Sequence, residues 1–208
     1  MRIEKDENKN VVSRAENKLA DFCEFIHFDF RGKTVLDIGS STGGFTEYAI
    51  LRGAEKVVAV EKGTKQMKAP LRFSSKVELH EKTDIFEAVA GDRGKLGGEG
   101  IVVIEKAPDV ILADVSFISL TKVLAYAKMK LARFETDFLV MLKPQFEARA
   151  EELNKGVVKN EKIRREIVRR FESWVLKNGF LILKKRDNEV RGKNGNLERF
   201  YYLKMAKK

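Results

Sequence analysis

The 208-residue chain holds a single cysteine, Cys23, so no internal disulfide can form. A reducing compartment, the cytoplasm, is the expected location. One cysteine and two histidines, His27 and His80, show no metal-ligand spacing, and no metal site is expected. No apolar run approaches the roughly 18 residues that a membrane span needs, so no membrane association is expected. The start, Met1-Arg2-Ile3-Glu4-Lys5-Asp6, is charged and lacks the apolar stretch of a signal peptide. There is no internal repeat and no low-complexity tract. Positive charge is what the chain has in excess: 41 lysines and arginines against 31 acids, a net charge of +10. A polyanion is the physical expectation for a partner, although so many acids among the bases also suit a merely soluble protein.

The most informative stretch is Val35-Leu36-Asp37-Ile38-Gly39-Ser40-Ser41-Thr42-Gly43-Gly44-Phe45-Thr46. An apolar run, a glycine-rich turn and a helical apolar spacing follow one another. Glycine at such a turn lets the backbone approach a ligand closely, and the helix start offers free N–H groups. The turn is not the dinucleotide fingerprint, because position 41 is serine where that pattern wants glycine. Lys56-Val57-Val58-Ala59-Val60-Glu61 reads as the next strand. Its terminal acid, about 20 residues past the turn, is placed to accept hydrogen bonds from ribose hydroxyls.

Met1 to Val12 reads as a mobile arm, and residues 13–208 as a single domain. Ser13-Arg14-Ala15-Glu16 fits a capping box, and Leu19, Phe22, Cys23 and Ile26 follow at helical spacing. Cys23 falls on that apolar face and reads as a packed thiol. A short helix is expected around Thr64–Leu71 and a strand at Val77–His80. Asp84 stands near a helix start. The glycine-rich run from Gly91, with a possible strand at Ile101–Ile104, reads as an insertion spanning about 91–106. Two buried strands end at Asp114 and at Lys143-Pro144. Asn160 caps a long helix carrying Lys162, Arg164, Arg165, Arg169 and Arg170 outward, and a closing strand pair involves Phe180–Leu183 and Phe200–Leu203. Strands alternating with helices predict a doubly wound parallel α/β sheet. Asp37, Glu61, Asp114 and Lys143 all fall at or just beyond strand ends, where such sheets bind ligands.

Five ordered blocks carry a family resemblance: Val12-Ser13-Arg14 with Lys18-Leu19, the glycine-turn stretch, Ala113-Asp114-Val115-Ser116-Phe117-Ile118-Ser119-Leu120, Leu142-Lys143-Pro144-Gln145-Phe146-Glu147, and Gly195-Asn196-Leu197-Glu198. Together they resemble the TlyA (hemolysin A) family of FtsJ-like ribosomal RNA 2′-O-methyltransferases. The resemblance implies a class I methyltransferase fold, Rossmann-like, with helices on both faces of a mostly parallel sheet and an antiparallel C-terminal strand. It implies S-adenosylmethionine as methyl donor, with contacts from Asp37, Gly39, Ser41, Gly43, Gly44, Phe45, Glu61, Asp84 and Asp114. It also implies a catalytic Lys-Asp-Lys-Glu set at Lys18, Asp114, Lys143 and Glu198, and RNA as partner. Three departures stand out: no room upstream of Ser13 for the family's S4-type RNA-binding domain, Ala15-Glu16 in place of a glycine pair, and a longer insertion after Gly91.

For methyl transfer to a ribose 2′-hydroxyl, a protein must align oxygen, methyl and sulfur and provide an acceptor for the hydroxyl proton. A lysine can do this where burial and a second ammonium favour its neutral form. Base-amine methylation would want prolines after Asp114, and Val115-Ser116-Phe117 has none. Carbon-5 methylation would want a cysteine nucleophile, and Cys23 is poorly placed for one. The competing expectation is a non-catalytic RNA-binding or assembly factor that keeps the fold. The oligomeric state is open.

Overall fold

The computed structural model describes residues 14–91, 101–189, 191–192 and 195–207. The arm 1–12, the cap Ser13 and most of the glycine-rich run lie outside the described residues. The elements are α1 (Arg14–Ile26), β1 (Thr34–Ile38), α2 (Gly44–Leu51), β2 (Lys56–Glu61), β3 (Val77–Glu81), β4 (Ala88–Ala90), β5 (Val102–Ile104), β6 (Val110–Ala113), α3 (Leu120–Lys130), β7 (Asp137–Leu142), α4 (Pro144–Glu147), α5 (Glu161–Lys177), β8 (Phe180–Asp187) and β9 (Arg199–Met205).

The main sheet has seven strands in the order β3-β2-β1-β6-β7-β9-β8. β1, β2, β3, β6 and β7 run parallel, and β9 is antiparallel to both β7 and β8. All six residues of β7 are buried, as a strand covered on both faces requires. One face of the sheet packs with Leu120, Val123 and Leu124 of α3 and Phe171 and Val175 of α5. The other packs with Leu19, Phe22 and Cys23 of α1 and with Phe45 and Tyr48 of α2. The doubly wound α/β reading therefore stands, with the antiparallel closing strand.

Chain order reverses direction between β1 and β6, and both strands present their carboxyl ends there. That crevice is where ligands bind in open α/β sheets.

Two expectations are corrected. Thr64–Leu71 is not a helix: the segment turns, and only Leu71–Phe73 closes a 3-10 turn. Its polar groups bond outward instead, the Gln66 N–H to Glu81 and the Ser41 hydroxyl to Gln66. The residue before Pro70 is also disfavoured in helix. The basic face of α5 is smaller than its sequence suggests. Arg164 is 4 % exposed and binds Asp187 and the Leu197 carbonyl, while Arg170 forks onto Glu152. Lys162, Arg165 and Arg169 remain exposed. The strand at Val102–Ile104 does form, but it pairs with β4 in a separate two-stranded sheet.

Candidate active site

The glycine turn is braced from within. Gly39 has φ +81, and a Cβ there would lie 3.1 Å from the Asp114 carbonyl oxygen. Gly43 has φ +95, and its Cβ would meet Leu71 at 2.5 Å. Both positions thus require glycine, for backbone conformation and for close packing. Glu61 at the end of β2 accepts hydrogen bonds from the Ser41 N–H (2.8 Å) and the Gly63 N–H (2.6 Å). It therefore holds the turn in shape while facing the same cavity.

That cavity measures about 700 Å³ and is lined by Gly39, Ser41, Glu61, Asp84, Asp114 and Phe117 among others. Asp84 caps the 3-10 turn that follows it and pairs with Lys62 at 2.9 Å, which holds its carboxyl below the usual range. Asp37, Gly43, Gly44 and Phe45 stand behind the lining. Asp37 is fully buried and accepts from the Thr46 hydroxyl at 2.6 Å, and burial pushes its carboxyl up to about 7. The Phe45 ring lies in the core 5.8 Å from Phe200. Any ligand contact by Gly43, Gly44 or Phe45 would thus be a backbone contact.

Asp114, on the wall of this cavity, belongs to the first of two ammonium–carboxylate pairs. Lys143 Nζ lies 2.6 Å from Asp114 Oδ1 and donates to the Ser116 hydroxyl at 3.0 Å. Lys18 Nζ donates to Glu198 Oε2 at 2.5 Å. Strand pairing brings the pairs to one end of the sheet. Ala113 pairs with Val140, and Leu142 with Arg199, so Asp114 and Lys143 follow the ends of β6 and β7 while Glu198 precedes the start of the antiparallel β9. Each ammonium faces a carboxylate, rather than the other ammonium.

Lys18 reaches Glu198 by a coincidence of periods. Phe22 sits one helical turn after Lys18, and Phe200 two strand positions after Glu198, so each partner shares a face with its ring. The rings stack at 5.0 Å, and the ion pair lies in the same register. Such ring pairs contribute about 0.5–1.5 kcal/mol beyond area burial.

Phe117 was not singled out in the sequence. It is 93 % exposed at φ 64, with its ring 5.2 Å from Phe146. A bulky residue held in left-handed backbone at a cavity mouth points to function. The one sequence signal was an apolar residue between Ser116 and Ile118 where the chain leaves a buried strand.

The residues present suit a ligand with a ribose and a charged group. The Ser40 hydroxyl and Asp37 Oδ1 are buried without a hydrogen-bond partner, three acidic residues, Glu61, Asp84 and Asp114, line the cavity wall, and the glycine turn leaves room for close backbone approach. Among the described residues, no cluster of three or more His, Cys, Asp or Glu could hold a metal ion. No helix there is long and apolar enough to cross a membrane.

The fold is that of class I S-adenosylmethionine-dependent methyltransferases. A methyltransferase from Mesorhizobium loti described as dependent on that cofactor shares the fold, with a TM-score of 0.56 at 11% identity over 88% of this chain and 96% of its own. The model of the FtsJ-like methyltransferase family matches residues 11–205, and the chain belongs to that family. It is 34% identical to the 23S rRNA (cytidine-2′-O)-methyltransferase TlyA of Campylobacter jejuni, over 92% of this chain and 70% of that protein. It is also 34% identical to Hemolysin A of Brachyspira hyodysenteriae, over 94% of this chain and 78% of that one. A structure from Streptococcus thermophilus labelled as a hemolysin superposes with a TM-score of 0.83 at 28% identity, over 97% of this chain and 70% of its own.

Proposed function

We propose that the protein is an S-adenosylmethionine-dependent RNA 2′-O-ribose methyltransferase whose substrate is ribosomal RNA. The observation that carries this is the pair Lys143–Asp114, held at 2.6 Å with Asp114 on the wall of the glycine-turn cavity, and Glu198, partner of Lys18, preceding the strand that pairs with the end of β7. The name of the Campylobacter jejuni relative supports the ribosomal substrate. When bound, the cofactor supplies a methyl already activated on a sulfonium.

The chain does the rest. Glu61 and Asp84 would take the hydroxyl and amine hydrogens of the nucleoside, and the turn from Gly39 to Gly44 would fit the remainder by backbone contact. Asp114 would orient Lys143. The Lys143–Asp114 pair would hydrogen-bond the 2′-hydroxyl and take up its proton as the oxygen attacks the methyl carbon in line with the breaking carbon–sulfur bond. Lys18 and Glu198 would fix the ribose from the other side. Phe117 would offer its exposed face to the attached base, since stacking on an aromatic ring is tolerant of base identity.

The test is mass spectrometry of nucleosides from in-vitro-transcribed ribosomal RNA incubated with the protein and deuteromethyl-labelled cofactor. A labelled 2′-O-methyl nucleoside is expected. Its absence, or label on a base, overturns the reading. Equilibrium titration with S-adenosylmethionine separates it from a non-catalytic factor, which would not need to bind the cofactor.

A further inference from the structure

The segment after α4 leaves catalytic territory and then returns to it. Lys143 immediately precedes α4, and within α4 Phe146 packs on Phe117 while Glu147 accepts from the Ser119 hydroxyl and the Leu120 N–H. The chain then makes a short turned loop, bridged between Asn154 and Val157, with Lys155 (φ 49) and Gly156 (φ 77) at its tip. It is seated by one side chain. Asn196, 2 % exposed, accepts from the Val158 N–H at 3.0 Å and donates to the Gly156 carbonyl at 3.3 Å. Asn196 stands two residues before Glu198. Its own carbonyl accepts from the Gly192 N–H, and a Cβ on Gly192 would lie 2.6 Å from Glu198 Oε1.

The loop 148–160 therefore runs from the element that follows Lys143 to Asn196, two residues before Glu198. Lys155 and Lys159, one on each side of the Asn196 contacts, are both exposed, and Lys162 and Arg165 are exposed at the start of α5, with Glu161 and Glu166 among them. Gly156 is exposed, with nothing within 4 Å of its would-be Cβ, so the loop tip can be approached closely. The observations fit a strand of phosphates running past the catalytic groups.

We propose that the loop 148–160 is the contact surface for the RNA backbone next to the reacting ribose, through Lys155 and Lys159, and that Asn196 couples that surface to Glu198. The proposal rests on the reading of the site as an RNA methyltransferase. Asn196 is then a positioning residue: it touches no reacting atom, and it sets both the loop and the carboxylate. A polar side chain this buried with both ends of its amide satisfied by the same loop makes a rigid joint.

The experiment measures turnover and RNA affinity with in-vitro-transcribed ribosomal RNA. Changing Lys155→Gln and Lys159→Gln together should raise the half-saturating RNA concentration about five- to tenfold. It should also reduce the slope of log affinity against log salt by about 1.4, two contacts at roughly 0.7 each for single-stranded RNA. Lys76→Gln with Lys130→Gln, the same charge loss at the opposite end of the sheet, should leave the slope near that of the wild type. Asn196→Ala and the isosteric Asn196→Asp should cut turnover at saturating RNA and cofactor about tenfold per folded molecule, with cofactor affinity within twofold. Equal slopes for the two lysine pairs would overturn the contact surface. A melting temperature that falls for both Asn196 variants, with turnover per folded molecule unchanged, would overturn the coupling. Failure of the methyltransferase reading looks different: the wild type then methylates no RNA at all.

Discussion

Lys143–Asp114 and Lys18–Glu198 look alike as ion pairs, yet they are built on different foundations. The first pair joins the ends of β6 and β7, neighbouring parallel strands at the centre of the sheet, with every residue of both buried. The second pair joins a helix near one end of the chain to the approach to its last strand. The first is placed by the sheet itself. The second depends on α1 docking against β9, on Asn188, which donates to Glu198, and on Arg164, which holds the carbonyl of Leu197, the residue before Glu198. A central position makes geometry robust, and a peripheral one makes it adjustable. In the proposed reaction this suits a proton acceptor held rigidly and a substrate-facing carboxylate coupled to the RNA surface.

The sharpest way to break the comparison is Lys143→Arg. Arginine keeps the charge and the Asp114 partner but cannot give up a proton in a protein. Single-turnover methylation should fall about 10²- to 10⁴-fold, the usual worth of a general base, while cofactor affinity holds. Substantial activity in the arginine variant would leave Lys143 as a brace for Asp114 and move the acceptor role to that carboxylate.

Next in size is the support of the peripheral pair. Arg164→Met leaves Asp187 short of one of its two arginines and frees the Leu197 carbonyl beside Glu198. Denaturant unfolding should show a loss of about 2–4 kcal/mol. The neighbouring exposed change, Arg165→Met, should stay within about 0.5 kcal/mol. Equal losses would mean that the buried network contributes no more than an ordinary surface charge.

On the cofactor side, Glu61→Ala should weaken S-adenosylmethionine binding by about tenfold to a hundredfold, since bonds to a charged acceptor contribute roughly 1.5–3 kcal/mol. An unchanged dissociation constant in a calorimetric titration would leave Glu61 as a brace for the Ser41 and Gly63 amides alone.

Legibility in the sequence follows the same division. The glycine turn, Glu61 and the central strands are contiguous patterns, and the doubly wound sheet could be read from them directly. Lys143 and Asp114 were visible because each ends an apolar run. Lys18 and Glu198 were named only through the family resemblance, because their meeting depends on a ring stack between the two ends of the chain. Arg164 misled for the opposite reason. Its neighbours in sequence are exposed bases, and only Asp187 and Leu197, brought in by β8 and β9, turn it inward. The expected helix at Thr64–Leu71 failed because glycine-turn contacts outweighed local propensity. Asn196 and Phe117 gave no periodic signal at all, because their roles come from loop geometry.

The smallest expected effect asks whether the peripheral pair holds α1 in place or is merely carried there. Cys23 is an internal reporter: it lies on the buried face of α1 at 2 % exposure, and burial pushes its thiol up to about 12. The thiolate is the form that attacks a thiol reagent, so labelling in the native protein should be slow and should require α1 to undock. Replacing both members of a buried ion pair with neutral residues of similar shape is often close to neutral for stability, whereas removing one member leaves an uncompensated charge. Lys18→Met with Glu198→Gln should therefore change the Cys23 labelling rate by no more than several-fold, even with methylation lost. Docking would then rest on Leu19, Phe22 and the stack on Phe200. An acceleration beyond a hundredfold would mean that the ion pair itself fastens the helix, and the catalytic and structural roles of Lys18 could no longer be separated.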